Sequence, residues 1–357
     1  MRIRAILGIL PLLIVPVATA GLIIDSLEST HPNGTLYRFP LIGGESPAAF
    51  RINTFLQTRE LEKLPGHYRE SPFEDVWPEE DSYNGVTEID YVLAFVQPGI
   101  LTVEIVGEFY GAYPSAIGNT YHFDARTGEV ITLRDLITPE GLAQLDKEIT
   151  AKRLQWVDAF LAGEKVAGAE LRTDPEEAEE QKELYRECRD GIEMAHPVFE
   201  DEFRLTQYDF LLAREPCAPR VIRALDELDL SIRRGYEPLK ELLSDYGSCL
   251  LIERRASCPR SYGEIAPGVY RGKIAERYPI TIVIDTVDQE GLPRARYYYD
   301  KHGKAIQLRA SRAEDGSLVL AESGPPPARF ELRIQPDGRL QGRWTQEDKD
   351  PLKVDLR

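Results

Sequence analysis

From Val269 onward the chain is a succession of short alternating runs: "VYRGKIAERYPITIVIDTV", "RARYYYDKHGKAIQLRASR", "SLVLAE", "ARFELRIQ" and "RLQGRWTQ". The turn-forming segments "DQEG", "DKHG", "EDG" and "PDG" separate several of them at regular intervals. No helical period survives in this region. Alternation with period two sends successive side chains to opposite faces of a sheet. Short strands joined by tight turns therefore predict an antiparallel meander, and closing it into a small barrel removes the exposed edges. Within it, Arg296, Tyr298 and Asp300 should face one way and Tyr297 and Tyr299 the other, one set pointing inward.

This region occupies only the last quarter of 357 residues, so the length leaves room for a second unit upstream. There the pattern is mixed. "AAFRINTFLQTRELEKL" reads as a helix with Phe50, Ile52, Phe55, Leu56 and Leu61 on its apolar face. "TEIDYVLAFVQPGILTVEIVGEFYGAYP" reads as two strands meeting near Pro98-Gly99. "NTYHFDA" continues as a strand with Tyr121 and Phe123 on one face and His122 on the other. Asp124 to Gly128 is expected to form a hairpin turn with Gly128 left-handed, and "EVITLRDLI" to return as its second strand.

Thr138-Pro139-Glu140 then carries the N-cap, first-position proline and first-turn acid that start a helix. Its apolar positions are Leu142, Leu145, Ile149, Trp156, Phe160 and Leu161. "DPEEAEEQKELYRECRDG" reads as a solvated acidic helix, and "EFRLTQYDFLLAREPCAPRVIRAL" as a strand pair interrupted around Pro216–Pro219. "LDLSIRRGYEPLKELLSDYG" follows as a strand, a turn and a short helix. The expected fold class is therefore α+β: an antiparallel sheet packed with helices, followed by a small all-β meander barrel. The units are placed at 21–258 and 268–357, joined by a linker at 259–267 where "SYGEIAPG" is rich in turn formers.

The N-terminus opens with Arg2 and Arg4, runs apolar from Ala5 to Val17, and reaches Ala18-Thr19-Ala20. That is the layout of a signal peptide over residues 1–20, cleaved before Gly21. Loss of its two arginines takes the net charge from −17 to −19. Such a charge argues against nucleic acid and favours cationic partners. Export to the periplasm or beyond in turn makes Cys188, Cys217, Cys249 and Cys258 an even set in an oxidising compartment. Four cysteines allow three pairings. The sequential one, Cys188–Cys217 and Cys249–Cys258, closes two short loops and is the one expected here.

Motifs with a catalytic mechanism are missing from the sequence. The five histidines are scattered, with no pair at helical metal-ligand spacing, so neither a metal nor a cofactor is expected. Ser115 and Ser257 lack the context of an activated nucleophile. His122, mid-strand, is the histidine best placed for a role.

The stretch from Tyr110 to Leu136 resembles part of an extracytoplasmic domain found in lysozyme-sensing anti-sigma factors and beside the catalytic domain of some peptidoglycan deacetylases. That pattern runs Gly-Gly-Ala-His-Pro, then a Phe-Asp-x-x-Thr-Gly hairpin, then Leu-x-Asp-Leu. Here Tyr110-Gly111-Ala112-Tyr113-Pro114 stands for the first part. Phe123-Asp124 with Thr127-Gly128 matches the second, and Leu133-Arg134-Asp135-Leu136 the third. "FRLTQYDFLL" and "LDLSIRRGYEPLKELL" look like that domain's closing strands and helix, and "LYRFPLIGGESPAAFRINTFLQ" like the opening of the domain before it. The resemblance spans about residues 35–247. Tyr113 replaces the family's frequent histidine. The C-terminal meander looks like a small barrel module with avidin-like strand order.

The resemblance implies a periplasmic or secreted binding protein without catalysis. Its partner would be lysozyme or another basic wall-active protein, met by Tyr110, Tyr113, Tyr121 and His122. The alternative it implies is an envelope protein that binds or modifies peptidoglycan glycan, or an accessory to such an enzyme.

Overall fold

The computed structural model describes residues 22–357 apart from 79–83, 98, 325 and 348. The signal-peptide segment lies outside the described residues. Strands β1 (Ile23–Thr30) and β2 (Leu36–Gly43) form an antiparallel hairpin. Helix α1 (Pro47–Glu60) follows, with the Ser46 hydroxyl accepting from the Ala49 N–H at 3.1 Å and proline in the first turn. Ile52, Phe55 and Leu56 are buried, as the helical spacing predicts, and so is Leu61 one residue beyond the helix.

Strands β3 (Gly85–Gln97), β4 (Ile100–Tyr110) and β5 (Pro114–Asp124) form a three-stranded antiparallel sheet. At its root the two faces are buried against different cores. Val103, Tyr121 and Phe123 pack with α1 and the first hairpin. On the other side lie Ile100 and a layer of helices and short strands.

After β5 the structure departs from the expected hairpin. The turn forms: the Gly128 N–H donates to the Asp124 carbonyl at 2.7 Å, and Gly128 has φ +73°. The Asp124 carboxylate accepts from the Arg126 and Thr127 N–H groups at 2.9 and 3.0 Å. A β-carbon on Gly128 would lie 2.4 Å from the Ala48 carbonyl oxygen, so the site excludes side chains as well as requiring positive φ. The return strand, however, reduces to one bridge between Phe123 and Val130. Residues Leu133–Leu136 are a short helix, α2, instead. The Asp135 carboxylate accepts from both the N–H and the hydroxyl of Thr132, at 2.7 and 2.9 Å. This local bonding ends the extended run.

Helices α3 (Pro139–Leu161) and α4 (Pro175–Met194) are capped by Thr138 and Asp174. They pack together around Val157, Phe160, Tyr185 and Ile192, and the acidic side chains of α4 face outward. The four-residue helix α5 (Pro197–Glu200) leads into a second small sheet of β6 (Glu202–Leu205), β7 (Asp209–Ala213) and β8 (Ile232–Gly235). The break between β6 and β7 falls at 206–208 rather than at the prolines, and Arg220–Leu225 is a 3-10 helix rather than a strand. The turn Asp245–Gly247, α6, closes this layer.

The C-terminal strands are β9 (Gly268–Ile274), β10 (Tyr278–Val287), β11 (Pro293–Tyr299) and β12 (Ala305–Arg312). Then come β13 (Leu318–Glu322), β14 (Ala328–Ile334), β15 (Leu340–Gln346) and β16 (Leu352–Leu356). They close in sequence order, with β16 pairing back to β9, into an eight-stranded antiparallel barrel. Leu320, Phe330, Leu332 and Tyr297 fill its interior. On β11 neither face is free. Tyr297 points into the barrel, while Tyr298 on the outer wall joins Val269 and Val283 in the core beneath α1. We propose residues 259–267 as the boundary between the units.

Cys188 is bonded to Cys217 and Cys249 to Cys258, with Cα separations of 5.4 and 5.8 Å. The first bond spans 29 residues and ties α4 to the loop after β7. Replacing Cys188 and Cys217 together by alanine is expected to cost about 3.6 kcal/mol on the chain-entropy relation, against about 2.6 kcal/mol for the shorter Cys249–Cys258 loop. Urea unfolding of the two double variants checks the order. Equal losses would show that loop length does not govern them. Among the described residues no helix is long and apolar enough to cross a membrane.

Candidate functional site

The β4–β5 hairpin changes character along its length. At the root, Ile100 to Val103 and Tyr121 to Asp124 are buried; from Glu108 to Tyr110 the chain is exposed. The register from Ile100 opposite Asp124 to Tyr110 opposite Pro114 is continuous, so the two strands run paired out to the tip. The tip carries Phe109, Tyr110 and Tyr113, with Tyr110 38% and Tyr113 66% exposed. Each of these rings presents apolar area to solvent at the end of the paired strands, at little conformational cost.

Charge surrounds the rings. Glu88 on β3 stands directly opposite Glu108 on β4, and both are exposed. Like charges facing each other across a strand pair destabilise it. Among the described residues neither forms an ion pair; Glu108 accepts only from the Thr87 hydroxyl, at 3.2 Å. The pair therefore keeps a negative field at the tip that a cation would relieve.

The structure separates the four candidate contact residues. Tyr110 and Tyr113 sit together at the tip. Tyr121 and His122 lie at the root, only 8% and 2% exposed. The Tyr121 hydroxyl accepts from Arg59 Nε at 2.8 Å and donates to the Glu60 carboxylate. Burial, followed by the Glu60 charge, pushes the phenol well above its ordinary range. His122 Nε2 accepts from the Leu205 N–H at 2.9 Å, which leaves Nδ1 to donate to Thr102 Oγ1 at 2.8 Å. Burial pushes His122 down to about 3, so the ring is neutral. It joins β5 to β6 and offers no polar atom to a partner.

Residues to which the sequence reading gave no role at a site organise the junction between the units. Arg296 on β11 donates to the Thr58 carbonyl at the end of α1, at 2.9 Å, and to Asp285 at 2.5 Å. Arg59 donates to the Asp285 carbonyl at 3.0 Å. Arg260, from the segment joining the units, binds Asp135 at 2.5 Å and the Val130 carbonyl at 3.0 Å. The Tyr262 hydroxyl donates to Glu129. Nothing in spacing marked these residues, because their partners are distant in sequence.

A cleft of about 280 Å³ opens at this junction. Three carboxylates line it, and each is held by an arginine: Asp201 by Arg153, Glu202 by Arg204 and Asp285 by Arg296.

The fold is thus an α+β unit joined to a closed antiparallel barrel, carrying an acidic aromatic hairpin tip. Among solved structures it is similar to a member of the DUF3298 family from Bacteroides fragilis NCTC 9343. The match has 14% identity and a TM-score of 0.41, covering 67% of this chain and 99% of that one. It is also similar to a DUF3298 family protein from Pseudomonas aeruginosa PAO1, at 13% identity and a TM-score of 0.34, covering 62% and 94%. No family model and no curated protein matches the sequence.

Proposed function

We propose that the chain is an extracytoplasmic binding protein without catalytic chemistry, which presents the β4–β5 tip to a basic protein partner such as lysozyme. The observation that carries this reading is the tip itself. Phe109, Tyr110 and Tyr113 are exposed beside the facing carboxylates of Glu88 and Glu108. The net charge of −17 extends the same field over the molecule and steers a cation toward it. Two disulfides fit an oxidising compartment.

Titration against a panel of lysozymes tests the proposal, by calorimetry and by inhibition of wall lysis. Truncating a buried aromatic anchor typically costs about 2 kcal/mol or more, so Tyr113→Ala should weaken binding at least about 30-fold, chiefly by faster dissociation. Charge reversal at Glu88 and Glu108 should instead slow association. Raising salt should do the same, since the screening length falls from about 10 Å at 0.1 M to about 3 Å at 1 M. Absence of binding at high micromolar protein in low salt, across all lysozyme classes, would sink the reading.

A further inference from the structure

We infer that the cleft between the α+β unit and the barrel is a binding site for a neutral, hydroxyl-bearing ring about the size of one hexose. The site is separate from the hairpin tip. Four features of its wall carry the inference.

The first is a β-bulge. The register of β10 against β11 shifts between Ile284 and Thr286, which leaves Asp285 as the extra residue. A bulge re-aims a side chain at the edge of regular pairing. This one turns the wall of the barrel toward the cleft, which Asp285, Thr286 and Val287 line.

The second is unsatisfied polarity. The Asp285 side chain is only 5% exposed, and Oδ2 accepts from Arg296 Nη2 at 2.5 Å. Its Oδ1 is buried and has no partner among the described residues. Across the cleft, Thr120 Oγ1 on β5 is buried and without a partner as well. A buried acceptor left unpaired is costly, so each such group in a native fold calls for an explanation. Neither atom is solvent-exposed as it stands, and a small turn of either side chain into the cleft would let a ligand hydroxyl donate to the carboxylate oxygen and exchange a hydrogen bond with the threonine.

The third is electroneutrality. The three lining carboxylates are each matched by an arginine. Arg134 lies 3.5 Å from Glu264, and Arg59 spends its Nε and Nη1 on Tyr121 and the Asp285 carbonyl. Arg59 has no direct ion pair among the described residues, its carboxylate neighbour Glu60 standing across the Tyr121 hydroxyl, so a cationic ligand would find no free counter-charge and an anionic one only this indirectly matched arginine to offset its desolvation. The fourth is the apolar side, where Val130, Phe199, Phe203 and Val287 supply a surface for the C–H face of a ring. The volume admits one ring and little more. That chemistry belongs equally to a free monosaccharide and to the end residue of a neutral glycan chain.

The test uses the full chain and saturation-transfer NMR, with affinities from calorimetry. The probes are glucose, N-acetylglucosamine and its trimer, with glucosamine and glucuronate as charged analogues. Neutral sugars should bind and the charged analogues should bind more weakly. Tighter binding of the trimer assigns the site to a chain end; equal binding assigns it to the free sugar. Thr120→Val removes one hydrogen bond to the ligand, and Asp285→Asn exchanges a charged acceptor for a neutral amide group; each should weaken binding about three- to tenfold. Thermal unfolding of both variants verifies that the fold persists. No signal from any neutral sugar at about 10 mM would overturn the inference. So would preference for a charged analogue, or affinities that neither substitution changes. Tyr113→Ala should leave sugar binding unaltered, which keeps this result independent of the hairpin proposal.

Discussion

Between pH 6.5 and pH 3 the chain should lose about 4–5 kcal/mol of stability through His122 alone, because each pH unit separating the folded and unfolded values is worth about 1.4 kcal/mol. Burial pushes the folded-state value down to about 3, from an ordinary value of 6.5. Two directional bonds hold the neutral form, one from the Leu205 N–H to Nε2 and one from Nδ1 to Thr102. Above pH 6.5 the imidazole is neutral in both states and contributes no pH dependence. As pH falls through 6.5 the unfolded chain takes up a proton that the folded chain refuses, and the folded state is progressively disfavoured until about pH 3. Protonation in place would turn Nε2 into a donor facing the Leu205 N–H donor. Other titrating groups add their own slopes, so the measurement is a comparison. Urea unfolding at pH 7, 5 and 4 should show stability falling more steeply in the parent than in His122→Gln, whose amide oxygen can still accept from Leu205. Parallel pH profiles would refute the assignment.

His122 also shows what the sequence discloses and what it hides. Alternation in "NTYHFDA" correctly placed His122 opposite Tyr121 and Phe123. It could not say that β6, over 80 residues later, covers that opposite face. Local signals carried far in this chain. Thr138-Pro139 and Asp174-Pro175 start helices where their caps predict. Gly128 takes the left-handed turn, and the spaced Gly-containing turns of the last quarter belong to a closed barrel. Where local preferences competed, the pattern misled. "EVITLRDLI" alternates like a strand, but Thr132 and Asp135 bond each other locally and a helix starts between them. The eighth barrel strand, Leu352–Leu356, is too short to show a period of its own. Tyr298 was legible as one face of a strand, yet not as a face covered by α1. The tip follows the same rule. Tyr110 and Tyr113 could be named from sequence, whereas the opposition of Glu88 to Glu108 depends on pairing register.

Removing Asp201 is expected to destabilise the fold by about 3–5 kcal/mol, the cost of leaving a buried charge uncompensated. Its partner Arg153 is fully buried in α3, on the stripe that runs Leu142, Leu145, Ile149, Val157 and Phe160. The spacing thus placed a guanidinium on an apolar face, a conflict visible in the sequence once α3 is drawn. The structure resolves it with the 2.5 Å ion pair to Asp201 and a 2.8 Å bond from Nε to the Leu230 carbonyl. The resolution is incomplete. Burial raises the Asp201 carboxyl despite the arginine beside it, so desolvation outweighs the pairing. Nη1 of Arg153 has no partner among the described residues. A pair of this kind contributes little net stability, but breaking it from one side is severe. In Asp201→Ala the Arg153 charge would also face Arg214 without the carboxylate that now offsets both. Pairing the change with Arg153→Met removes the stranded charge and should recover about half of the loss. The remainder reflects the Leu230 carbonyl, whose lost donor costs about 1–3 kcal/mol if it stays dry. Chemical denaturation of the parent, the single variant and the double variant decides the matter. A single-variant loss below about 1 kcal/mol would mean that water reaches Arg153 and that the site is not dry. Asp201 lines the sugar-sized cleft while the hairpin tip lies at the far end of β4 and β5. Partial loosening at Asp201 should therefore weaken sugar binding before it weakens binding at the tip.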